Sequence, residues 1–200
     1  MTAGTACPAD IDVNALVARL ARPAPDTTMF VEVRYSQLLE TPLVVAGRLE
    51  HRADGALVRR VESPYQEVTE LQGENVRVAR AGAKPRGFSL ARAPELRGML
   101  ASFGALLEGD RAQLDRYFTV AATGTDARWQ LTLTPRDAKL QRRLASIAVQ
   151  GGGDRARCFT VAEPDDDASV LALGVASAAA LPQPLERRAL AAWCAEAGED

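Results

Sequence analysis

A chain of 200 residues and 21.4 kDa that is 47% hydrophobic fits one globular domain, since a core of this size buries roughly 70% of the surface its unfolded chain exposes. Charged residues make up 25%, and the net charge is −2 with a pI near 5.6, which argues against both a polyanion-binding protein and an acidic disordered tail. The longest weakly polar stretch, Val170 to Leu181, is half Ala and Ser with a Gly and falls short of the roughly 18 apolar residues of a membrane-spanning helix.

Met1 leads straight into TAGTACPAD with no charged or apolar signal region, so the chain reads either as cytosolic or as an exported protein without its signal. A weak amphipathic helix follows over Asp12 to Ala21, with Val13, Leu16, Val17 and Leu20 on one face. From Thr27 to Leu90 the period changes to two, in six short runs: MFVEVRYSQL, LVVAGRLEHR, ALVRRVES, YQEVTEL, ENVRVAR and GFSLA. Asp54-Gly55 is a hairpin dipeptide, Ser63-Pro64 bars a ladder donor, and Gln72-Gly73-Glu74 is a short glycine loop, so the runs read as an antiparallel meander.

At Pro94 the spacing becomes helical. Leu96, Met99, Leu100, Phe103, Leu106 and Leu107 share one stripe, with Pro94 in the first turn and Gly109 at the stop, which predicts a helix over Pro94 to Glu108. A short helix over Arg111 to Tyr117 follows. Five further strand runs come next, FTVAATG, RWQLTLT, LASIAVQG, ARCFTVAE and ASVLALG, and a last helix spans Leu185 to Ala197. About eleven antiparallel strands in one sheet must curl, because open twisted sheets rarely exceed ten. The expected fold is therefore α+β: a strongly curved, unclosed antiparallel barrel with the Pro94 helix in its concave mouth and helices at both ends.

Enzymatic readings fail on inventory. His51 is the single histidine, and G-x-S-x-G, G-x-x-x-x-G-K-[ST] and H-E-x-x-H are all missing. His51 reads as a strand-end surface residue, the acidic run Glu163, Asp165, Asp166 and Asp167 as a solvated turn, and Gly151-Gly152-Gly153 as a flexible hairpin loop, so no metal and no cofactor are expected. The helix stripe carries more. On the concave side of a curved sheet, Met and Phe can roof an apolar pocket as well as fill a core. Alternation supplies its floor: Val45, Leu49, Leu57, Val61, Val76, Val78, Trp129, Leu131 and Leu133. An acyl chain gains about 0.8 kcal/mol per buried methylene, so a chain of about a dozen carbons needs no directional contact to bind there.

Several motifs fall in a familiar order: F-x-E-x-R from Phe30 to Arg34, P-L-x-x-x-G-x-L from Pro42 to Leu49, S-P-x-x-E from Ser63 to Glu67, A-P-E-L before the stripe, L-x-G-D from Leu107 to Asp110, and W-x-L-x-L-x-P from Trp129 to Pro135. In that order and spacing the chain resembles the outer-membrane lipoprotein carrier (LolA-like) family. More narrowly, it is similar to the divergent branch often encoded beside aryl-polyene or lipid-tailoring genes. The motifs cover about residues 30–173 of a single carrier domain, leaving 175–200 as a C-terminal extension with a helix.

The resemblance implies a periplasmic, monomeric carrier that shields the acyl chains of a lipid or lipoprotein between an inner-membrane loading complex and an outer-membrane acceptor. It also implies an arginine latch for the lid, for which Arg52, just after the G-x-L strand, and Arg34 on the adjacent run are the candidates. Gly4-Thr5-Ala6-Cys7 is loosely similar to the acylated start of an anchored receptor of the same system. A non-carrier interaction protein with a filled core and an acyl-ester hydrolase are the other readings. The spacing of Cys7, Cys158 and Cys194 excludes CxxC chemistry and leaves the disulfide pairing open. Their terminal positions favour a Cys7–Cys194 staple, with Cys158 a buried thiol in its strand.

Overall fold

The computed structural model describes residues 11–92 and 94–196. Their strands form a single eleven-stranded sheet, ordered β6-β5-β4-β3-β2-β1-β11-β10-β9-β8-β7, with every neighbouring pair antiparallel and the two edges unjoined. Strands β1 (Asp26–Tyr35), β2 (Leu43–His51), β3 (Leu57–Ser63), β4 (Glu67–Gln72), β5 (Asn75–Arg80) and β6 (Arg86–Ser89) step outward to one edge. Helix α2 (Pro94–Glu108) and helix α3 (Arg111–Tyr117) then carry the chain to the opposite edge, where β7 (Phe118–Thr125) begins. From there β8 (Arg128–Pro135), β9 (Ser146–Gly152), β10 (Arg155–Ala162) and β11 (Ala168–Leu173) step back until β11 pairs with β1. Helices α1 (Val13–Arg19), α4 (Ala138–Gln141) and α5 (Arg187–Ala195) complete the described α-helices, and short 3-10 turns lie at Leu90–Arg92 and Ala178–Ala180.

Local chemistry sets the helix ends. Asp12 accepts from the Asn14 and Ala15 amides at the start of α1, and Asp137 caps α4 in the same way. Gly109, at φ 69°, ends α2 with an Asp110 N–H to Ala105 C=O bond of 2.8 Å, and Asp110 then caps α3 through the Gln113 amide. A Cβ on Gly109 would stand 3.3 Å from the Ala18 backbone, so the glycine also lets α1 lie close.

Register fixes the two faces of the sheet. Leu131, Val149, Phe159, Leu171, Glu32 and Val45 pair in succession across five strands and the sixth, so they form one row on the concave face. Helices α1, α3 and α4 close the β7 to β9 part of that face: Leu16, Val17, Leu114, Phe118, Leu131, Leu133, Ile147 and Val149 are all fully buried together. Trp129 belongs to this cluster and lies over Gly151, where a Cβ would come within 2.7 Å of its ring. Gly151 and Gly152 are therefore strand residues of β9 rather than a hairpin loop, and the missing side chain is the space the indole occupies.

The convex face has its own core, in which Val31, Val33, Val170 and Ala172 pack against Leu190 and Cys194 of α5. Cys194 is bonded to Cys158, not to Cys7, which lies outside the described residues. Strand alternation explains the pairing. Phe159 faces inward, so its neighbour Cys158 faces outward onto the surface where α5 docks. The bridge closes a loop across a sequence separation of 36, for which chain entropy gives about 3–4 kcal/mol. Cys194→Ser is expected to lose about 2–4 kcal/mol in denaturant unfolding and to loosen α5. Non-reducing peptide mapping should recover a Cys158–Cys194 peptide, and a Cys7–Cys194 peptide would contradict the assignment.

Candidate functional site

Between α2 and the β1, β2, β3, β10 and β11 part of the concave face lies an open cleft of about 2040 Å³, whose opening reaches round to Trp193 and Glu196. Its roof is the middle of α2. Leu100, Phe103 and Leu107 are half-buried and line the cleft, whereas Ala105 is fully buried in the neighbouring core and Leu106, 4% exposed, belongs to that core while also touching the cleft. Phe103 meets Phe159 of β10 with ring centroids 5.6 Å apart. Leu171, Leu173 and Val161 continue the floor from the β10 side, and Leu49, Leu57 and Leu71 from the other.

The two ends of the roof are held differently. At its C-terminal end the Arg22 N–H donates to the Leu107 carbonyl at 2.7 Å, and the Arg22 guanidinium pairs with Asp154 of the β9–β10 turn. His51 adds its Nδ1 at 3.1 Å from the Arg22 carbonyl, half-buried at this end of the cleft rather than free on the surface. Toward its N-terminal end α2 is joined to the β4–β5 turn by the exposed ion pair of Arg97 with Glu74, at 2.9 Å. An exposed pair of this kind contributes about 0–1 kcal/mol.

The floor is not uniformly apolar. Glu32, 7% exposed, is the one charged residue buried in the described core. Its carboxylate accepts from Arg34 Nε at 2.6 Å and from the Ser169 hydroxyl at 2.7 Å, and it also binds the Arg59 guanidinium. Arg59 lies over the Phe30 ring, 5.1 Å from its centroid. Burial pushes the Glu32 carboxyl up, but the Arg34 hydrogen bond, the Arg59 charge and the Ser169 hydrogen bond outweigh it and hold it below the usual range. The same hydrogen bond raises Arg34.

Alternation places the expected lining residues on one face, but the helices divide them. Leu49, Leu57, Leu100, Phe103 and Leu107 line the cleft. Trp129, Leu131 and Leu133 are instead filled core, at most 2% exposed, because α1, α3 and α4 cover that third of the sheet. Val45 and Val61 are packed out of reach beside Phe30. Val76 lines a separate groove of about 550 Å³ at the β5–β6 edge with Phe88, and half-buried Val78 pairs with Arg86 there. The side chains of Leu96 and Met99 lie outside the described residues, as do Gly4 to Cys7.

Among the described contacts, neither latch candidate bonds a helix end. Arg52 is engaged by Asp54 and Glu70 at the β2–β3 turn, and Arg34 by Glu32 on the cleft floor. Among the described polar contacts to α2 from elsewhere in the fold are those of Arg22 and of Arg97 with Glu74. Asp167, expected in a solvated turn, accepts from the Ser36 hydroxyl and the Gln37 amide, anchoring the loop after β1. Glu32 and Arg59 were not foreseen. The signal was the F-x-E-x-R alternation itself, which puts Phe30, Glu32 and Arg34 on one face.

An unclosed antiparallel barrel with a largely apolar cleft roofed by a helix is an architecture with room for a ligand in its mouth. The chain belongs to the family described as outer membrane lipoprotein carrier protein LolA-like, whose model matches residues 5–197 and so takes in α5 and the Cys158–Cys194 bridge. Among curated proteins none matches the sequence. Solved structures with a similar course include a LolA superfamily protein, NE2245, from Nitrosomonas europaea, at 11% identity and a TM-score of 0.44, covering 82% of this chain and 91% of that one. LprF from Mycobacterium bovis is similar at 12% identity and a TM-score of 0.37, covering 88% and 96%. The Pseudomonas aeruginosa MucA/MucB complex contains a chain at 14% identity and a TM-score of 0.42. There 82% of this chain matches 56% of the other, so the present chain spans little more than half its length.

The buried carboxylate makes a pH prediction. Because the Glu32 carboxyl is lowered on folding, its stabilisation is present above the unfolded value and lost as pH falls through the lower, folded one. Glu32→Gln should cost about 1–3 kcal/mol at pH 7, less than for a fully buried pair because Arg34 is partly exposed. Urea titrations at stepped pH should show the gap to the wild type narrowing on acidification below the usual glutamate range. A constant gap would contradict the pairing.

Proposed function

We propose that the chain is a periplasmic carrier that takes the acyl chains of a lipid or lipoprotein into the cleft under α2 and delivers them toward the outer membrane, without catalysing a reaction. The observation that carries this reading is the incomplete covering of the concave face. One part is sealed by α1, α3 and α4, while beside it aromatic and aliphatic side chains line about 2040 Å³ of open cleft under Leu100 and Phe103. Family membership supports the same reading. A single chain of apolar groups is the ligand such a cleft fits, since each methylene contributes about 0.8 kcal/mol whatever its orientation. In this reading the roof opens at the Arg97 end, where the Arg97–Glu74 pair is exposed, while the core around Leu106 anchors the other end. The loading complex and the acceptor are the partners that this role requires.

The reading separates two neighbouring helix positions. Phe103→Asp sets an unpaired charge against Phe159 in the cleft and is expected to weaken binding of a fluorescent fatty acid about tenfold or more while unfolding stays cooperative. Leu106→Asp sets the same charge at a side chain that touches the cleft but is packed into the sealed core, and should abolish cooperative unfolding. Unchanged fatty-acid binding by Phe103→Asp would remove the cleft from the function.

A further inference from the structure

We propose that Arg34 and Arg59, braced by Glu32, form a head-group site for an amphiphile with one acidic head, a carboxylate or a phosphate, whose chain lies along Phe159 and Leu171. The inference rests on the carrier reading and names its ligand class. Glu32 is the only charged member of the row that runs from Leu131 to Val45, and the next position toward Phe103 is Leu171, which pairs with Phe159. Charge and apolar wall therefore adjoin one strand apart, at the spacing of neighbouring strands, about 4.8 Å.

Packing alone does not call for this cluster. Residues around it, Phe30, Val45 and Leu171, form an aliphatic and aromatic floor that a further leucine would extend, and buried ion pairs often stabilise no better than apolar side chains of similar volume. The stoichiometry points to a ligand. Two guanidiniums face one carboxylate, so the cluster carries a net positive charge, and each guanidinium has five N–H donors. The contacts to Glu32 employ Arg34 Nε and one Arg59 Nη, while both side chains stay partly open to the cleft, 43% and 24% exposed. The field of Glu67 also reaches Arg34, but Glu67 stands opposite Arg80 in the β4–β5 register, so the local excess of positive charge remains.

Glu32 and Phe30 are positioning residues. The carboxylate holds the two guanidiniums together, and the Phe30 ring fixes the plane of Arg59, leaving the outward donors directed to an incoming oxyanion. A planar fork with spare donors binds either a carboxylate or a phosphate, and a neutral or cationic head would gain nothing there.

Displacement of the neutral dye N-phenyl-1-naphthylamine by twelve-carbon probes at pH 8, below their micelle concentrations, tests this. Dodecanoate and dodecyl phosphate should displace the dye at roughly tenfold lower concentration than dodecanol, and dodecylamine should be the weakest. The better of the two anions identifies the head. In Arg34→Gln and Arg59→Gln the ratio of dodecanoate to dodecanol affinity should fall to near one. If Arg59→Gln does not fold, Arg34→Gln, more exposed, decides the point. Equal displacement by dodecanoate and dodecanol, or an anion preference unaltered in the folded variants, overturns the head-group site but leaves the carrier reading. Failure of every probe to displace the dye overturns both.

Discussion

The structure depends on one topological constraint. Strands β6 and β7 are consecutive in the chain yet occupy opposite edges of an eleven-stranded sheet, so the connection from Leu90 to Tyr117 must cross the whole of it. Laid flat, such a sheet is about 48 Å wide, whereas the fifteen residues of α2 make a helix about 22 Å long. Curling brings the two edges within reach of that helix, and a helix that crosses a curled sheet lies in its concave mouth. Cleft and roof thus follow from the strand order. The final pairing of β11 with β1 locks the arrangement, because it joins the two halves of the meander at the middle of the sheet.

Function depends on how unequally that mouth is covered. Four helices meet the concave face, and α1, α3, α4 and the end of α2 converge on β7, β8 and β9, where large side chains are fully buried. Toward β1 to β3 the roof is only the middle of α2, and the cleft stays open. On the convex side α5 and the Cys158–Cys194 bridge back the central strands and stiffen the floor, while Trp193 of α5 reaches the outer rim of the cleft. The sealed part supplies stability and the open part supplies the site. They share α2, whose C-terminal end belongs to the core and whose other half carries the exposed Arg97–Glu74 ion pair.

Much of this was legible in the residues. Proline, a six-residue apolar stripe and a glycine stop mark α2 at its observed ends, and alternation marks all eleven strands, because these signals are local. Helix α4 escaped notice since its four residues span barely one turn and show no period. Alternation also tells which residues share a face but not which part of that face a helix will cover, and so Leu131 and Leu133 read like Leu49 and Leu57. The Cys158–Cys194 bridge depends on the side of the sheet that α5 takes, a long-range choice that spacing does not encode. The Glu32 cluster was half visible. Phe30, Glu32 and Arg34 alternate in plain sight, but Arg59 joins them only through the β1–β2–β3 register.

The central claim is that the cleft under α2 holds an acyl chain, and native mass spectrometry of the protein purified from cells, followed by lipid extraction, tests it most directly. The account predicts a population shifted by the mass of one acylated molecule, with the adduct lost in Phe103→Asp. Protein that is bare as purified, and that stays bare when a twelve-carbon fatty acid is added in excess, would contradict it.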